Sequence, residues 1–92
     1  MNKRNIGFFR VSVCSIEENP DEVAMVFSML KIVPFHIVYE FKSDVFEYHA
    51  MCDQFDAVDL GFITPEYDLI ITKSKDGKIT SAEFKKKENI TT

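Results

Sequence analysis

Residues 35–51 read FHIVYEFKSDVFEYHAM, and this stretch decides the fold. Phe35, Ile37, Tyr39 and Phe41 fall on one parity. Phe46, Tyr48 and Ala50 fall on the matching parity of a second run, beyond Lys42-Ser43-Asp44. Side chains alternate faces along a strand, so the two runs predict the paired strands of a hairpin with a shared apolar face. Hairpins pair antiparallel, which makes the sheet mainly antiparallel.

Upstream, GFFRVSVCSI (7–16) alternates in the same way, with Phe9, Val11 and Val13 opposite Arg10, Ser12 and Cys14, and predicts a half-buried strand. A helix is expected next, from about residue 20 to 33. Asn19 is placed to cap it, Pro20 suits the first helical position, and Glu22 falls three residues after the cap, where a capping box closes. Pro34 is the expected stop. Val23, Val26, Phe27, Leu30 and Val33 make one apolar stripe on this helix, and Met25, Met29 and Ile32 add a second edge. One covered sheet needs only the first stripe, so the second edge nominates Met25, Met29 and Ile32 for a homodimer contact.

Downstream, CDQFDAVDLGFITP is a connection broken by Gly61 and Pro65, and Phe55, Val58 and Leu60 are its expected anchors to the core. EYDLIITKSKDGKITSAEF then reads as a hairpin turning at Asp76-Gly77. The expected fold is α+β, with one α-helix on a mainly antiparallel β-sheet of about five strands in the order β-α-β-β-β-β. The 92 residues form a single domain, with a frayed basic tail at about 85–92. No apolar run approaches the ~20 residues of a bilayer span. MNKRNIGFFR does not read as a signal peptide, and two cysteines in such a chain point to the cytoplasm.

The net charge of −4 conceals a polarised distribution. Residues 1–10 and 73–92 each carry +3, whereas residues 11–72 hold twelve acids against Lys31 and Lys42 alone, a net −10. By strand parity Glu40, Glu47 and Asp68 project away from the core. Glu17, Glu18, Asp21 and Glu22 gather near the start of the helix, Asp44 lies at a turn, and Glu66 precedes a strand. Asp53, Asp56 and Asp59 follow one another at even spacing with no base between them. Ordinary surfaces mix signs, so this segment points to charge presented to a partner. The alternate-residue and interstrand spacings of a sheet, ~6.7 and ~4.8 Å, can imitate the phosphate charge of a duplex.

Other chemistries lack their patterns. His49 and Cys52 form a single H-x-x-C, with Cys14 and His36 elsewhere, whereas structural zinc sites pair such motifs. The aspartates do not follow a calcium-loop pattern. No nucleophile elbow, phosphate-cradling glycine loop or H-E-x-x-H motif occurs. The expectation is a non-enzyme with no metal or cofactor. Direct nucleic-acid binding by the acidic middle is opposed by its sign.

The motifs FEY (46–48), FD (55–56), Gly61 and P-x-Y (65–67), ahead of a strand and a D-G hairpin, resemble small early proteins of T-even-like phages. In length and acidic character the chain is similar to their anti-restriction nuclease (Arn) family. The net charge departs from that pattern, because dedicated mimics are more acidic overall. The resemblance implies a dimeric DNA mimic that binds host modification-dependent restriction machinery in the cytoplasm of the infected cell. The expected partner surface comprises Glu17, Glu18, Asp21, Glu22, Glu40, Asp44, Glu47, Asp53, Asp56, Asp59, Glu66 and Asp68. The alternative is a small phage adaptor that binds a host protein through the apolar helix edge, without DNA mimicry.

Overall fold

In a computed structural model, residues 3–59 and 63–87 are described. The fold is α+β and the strands pair antiparallel. In chain order the elements are β1 (Lys3–Ser12), α1 (Val13–Glu18), α2 (Pro20–Met29), β2 (Val33–Glu40), β3 (Val45–Met51), β4 (Ala57–Asp59), β5 (Tyr67–Lys73) and β6 (Ile79–Lys86). Where one sheet is expected there are two: a four-stranded sheet in the order β2-β3-β1-β4, and the β5-β6 hairpin. A parallel bridge between Phe8 and Glu66 links them, with the Phe8 N–H donating to the Pro65 carbonyl at 3.0 Å.

The first strand ends earlier than its alternation predicts. Ser12 keeps extended backbone, and its hydroxyl oxygen accepts the Ser15 N–H at 3.1 Å, which caps α1. Val13 and Cys14 are therefore helical. The single helix expected over 20–33 is α2, which stops at Met29, and an unexpected helix, α1, precedes it, separated at Asn19, whose backbone (φ −134°, ψ 58°) is not helical. Pro20 does occupy the first turn of α2, with Asp21 and Glu22 favourably placed at its positive end. The Asn19 side chain makes no capping bond, so the expected capping box is not formed.

The end of α2 lies ahead of Pro34. Lys31 takes a left-handed conformation (φ 52°), its N–H donates to the Ser28 carbonyl at 3.2 Å, and the Ile32 N–H donates to the Phe27 carbonyl at 3.0 Å. This is the Schellman arrangement, which satisfies carbonyls that the finished helix leaves open. It also turns Ile32 into the core.

Phe9 at the centre of β1 is fully buried and packs against Phe27, Tyr48, Phe55 and Phe84. Val26, Ala50, Cys52, Phe55 and Tyr67 are buried as well. Burying a side chain of this size contributes about 1.5–3 kcal/mol. Gly7 permits the junction of the two sheets, because a Cβ there would lie 2.6 Å from the Tyr67 ring. Phe55 thus anchors its loop as expected and Val58 is half-buried, whereas Leu60 and Gly61 lie outside the described residues.

Coverage of the four-stranded sheet stops short of β2. Its register sets Ile37 beside Tyr48 and Tyr39 beside Phe46, on the face that carries Phe9. Yet Ile37, Tyr39 and Phe41 remain exposed, because α2 packs towards β6 rather than over the edge strand. The β5-β6 turn follows the sequence reading, with Gly77 at φ 82°. The tail begins later than expected, since Lys85 and Lys86 belong to β6.

Candidate interaction surfaces

One end of the molecule concentrates acidity. The Val13 N–H donates to the Asp44 carbonyl at 3.0 Å, which ties α1 to the 41–44 hairpin and brings Glu17 and Glu18 towards Asp44. Two side chains register the field. The exposed Cys14 thiol donates to Glu18 Oε2 at 2.8 Å; that bond and the Glu18 charge, with Glu17 and Asp44 behind them, raise its pKa above the ordinary thiol value. The Tyr39 hydroxyl donates to Asp44 Oδ1 at 2.8 Å, and its pKa is raised first by that bond. Glu40 accepts from the Ser43 hydroxyl at 2.6 Å, and Asp21 is exposed in the first turn of α2. Among the described residues Glu17, Glu18, Asp21, Glu40 and Asp44 form no salt bridge, although Lys42 lies in the 41–44 hairpin and Lys78 lines the same hollow as Glu18 and Asp21.

Five of the other predicted acids, Glu22, Glu47, Asp56, Glu66 and Asp68, meet bases chiefly from the ends of the chain, whereas Asp53 and Asp59 form no salt bridge among the described residues. Glu22 meets Lys73 at 2.7 Å. Glu47 meets Arg10 at 3.1 Å and His49 at 2.8 Å. Glu66 meets Arg10, and Lys87 at 3.3 Å, while Asp68 lies 3.7 Å from Lys87. Asp56 accepts from Lys86 at 3.0 Å, an interaction that raises the lysine's pKa. Asp59 stands opposite Lys3 in the β1–β4 register, and Asp53 shares a shallow hollow with Lys3, Arg4 and Lys31. Of the three aspartates in the 53–59 stretch only Asp56 is ion-paired, while Asp53 and Asp59 have bases as neighbours without a salt bridge among the described residues. Exposed pairs of this kind add little net stability, but they do cancel charge.

The H-x-x-C pair diverges. His49 stacks on Phe8 with ring centroids 5.1 Å apart, on the open face of the sheet. The Cys52 thiol is buried and donates to the Leu30 carbonyl at 3.3 Å, and burial raises its pKa. The His36 and His49 rings lie 5.6 Å apart. His49 Nε2 and Glu47 Oε2 lie 2.8 Å apart. A cavity of about 270 Å³ lies elsewhere, between α2, β1 and β5, with a floor including Val11, Phe27 and Leu69, and with Ser12 and Ser15 but no imidazole in its lining.

The three dimer candidates separate. Met25 and Met29 are half-exposed on α2, whereas Ile32 is 7% exposed and packed in the core, because the Schellman turn carries it inward. The larger apolar surface belongs to β2 and its hairpin, with Val33, Phe35, Ile37, Val38, Tyr39 and Phe41 all exposed. Sequence reasoning assigned one parity of this strand to the core. The available signal was FHIVYEF itself, apolar on both parities and so unable to distinguish a buried strand from an uncovered one. No helix among the described residues is long and apolar enough to cross a membrane. No family model, curated protein or solved structure matches the chain.

Proposed function

We propose that the protein is a non-enzymatic inhibitor whose acidic end occupies the phosphate-binding groove of a host DNA-binding protein. The observation that carries this reading is the cluster Glu17, Glu18, Asp21, Glu40 and Asp44 without an ion-pair partner among the described residues. A groove of Lys and Arg built for phosphates accepts carboxylates, and like-charge repulsion keeps the inhibitor itself off DNA. The resemblance to anti-restriction proteins makes a restriction-type nuclease the target class. Both thiols are free, which suits work in a reducing cytoplasm.

The test combines charge removal with competition. Glu17→Gln, Glu18→Gln, Asp21→Asn and Asp44→Asn together should abolish capture of the target. Asp53→Asn, Asp56→Asn and Asp59→Asn together should weaken it less. Asn tolerates the left-handed backbone of position 44 (φ 53°), so the fold should persist. Capture should weaken with salt, since screening shortens to ~8 Å at physiological ionic strength. If excess duplex DNA fails to release the captured protein, the mimic reading is wrong. That outcome would favour the second reading, an adaptor that grips a host protein through an apolar edge. The exposed apolar side chains of β2, rather than the helix edge first expected, now support it.

A further inference from the structure

β2 closes one end of the four-stranded sheet and offers its outer backbone edge to solvent. Exposed edges are ordinarily protected by lysines, prolines, bulges or short length. β2 is eight residues long and contains no lysine, and its proline and bulge are confined to positions 34–36. The segment His36–Glu40 is a regular, unprotected edge. Phe35, Tyr39 and Phe41 are 52%, 46% and 83% exposed. With ring side chains of about 200 Å², these three alone leave roughly 350 Å² open. That approaches half of the ~800 Å² per partner in a stable interface, before the aliphatic side chains are added.

We infer that β2 pairs antiparallel with β2 of a second copy, about a two-fold axis at Val38, joining two four-stranded sheets into one. The strand's own sequence argues for this occupant. An axis at Val38 sets Ile37 opposite Tyr39 of the second copy and His36 opposite Glu40, each pair occurring twice. Ile37 and Tyr39 share one face of the sheet, and His36, Val38 and Glu40 share the other, so like meets like and imidazole meets carboxylate. An axis one residue earlier, at Ile37, would oppose Glu40 to Pro34, which has no N–H to contribute and no charge to offer. A two-fold interface is self-complementary by construction, as this register is.

Sedimentation velocity at tens of micromolar should give a dimer. Val38→Glu sets two carboxylates face to face on the axis and should weaken association by roughly tenfold or more. His36→Glu opposes two acids and should act likewise, while His36→Glu combined with Glu40→His restores opposite partners and should recover the dimer. Recovery in the exchanged pair keeps the test decisive should Val38→Glu disturb folding. Met25→Gln with Met29→Gln should leave the dimer intact. A monomeric native protein, an exchanged pair no better than His36→Glu, or a dimer lost with the methionines would each overturn the proposal. None of these outcomes depends on whether DNA competes for the acidic end.

Discussion

Cys14 carries the most local consequence of the acidic end. Alternation sets its side chain on the strand face of Arg10 and Ser12, opposite Phe9, Val11 and Val13. The cap at Ser12 instead rotates it out of the sheet and delivers it to Glu18. Thiolate is the reactive form, so a raised pKa slows alkylation at neutral pH. Cys14 should react with iodoacetamide more slowly than a free peptide thiol, and its rate should still be climbing above pH 9.0, the ordinary value. Glu18→Gln removes both the acceptor charge and the largest cause of the shift, and should speed the reaction severalfold at pH 8. Equal rates in the two proteins would show that the carboxylate does not govern the thiol. Nothing in VSVCSI signals this environment, because a carboxylate from the next helical turn creates it.

Among the elements, the two hairpins were legible. Their turns are marked by local chemistry, and the strands flanking each turn must meet. The helix ends were legible only in part. Pro20 marks a start, but the αL stop at Lys31 is unmarked, since lysine is an unusual residue there. Lys31→Gly should therefore stabilise the protein by about 1 kcal/mol, because glycine adopts that backbone without the Cβ clash. A urea midpoint that stays put or falls would mean that the lysine stem contributes packing of comparable size. Which sheet each strand joins was not legible at all. Alternation identifies an apolar face but not what lies over it, and this is why β2 reads as core and is not.

For the whole molecule, the charge asymmetry read from the sequence is reduced on folding by pairs that spare the acids at one end. Arg10, Lys73, Lys86 and Lys87 return to the acids of the middle segment, a pairing across long sequence distances that no local pattern encodes. Lys86→Glu with Lys87→Glu should leave Asp56, Glu66 and Asp68 facing like charge. The urea midpoint should drop at low ionic strength, and the drop should shrink near 1 M salt, where screening reaches ~3 Å. A drop independent of salt would assign these lysines a packing role instead. The register of β1 has one more consequence, in the order of synthesis. β1 leaves the ribosome ahead of every other described strand, yet its partners run from Val45 to Asp59. The central strand, with Phe8 and Phe9 bare, must wait for the β2-β3 hairpin to emerge before it can be shielded. The nascent chain therefore carries this apolar segment unshielded until a late partner arrives, and its folding is timed by that arrival rather than by local structure.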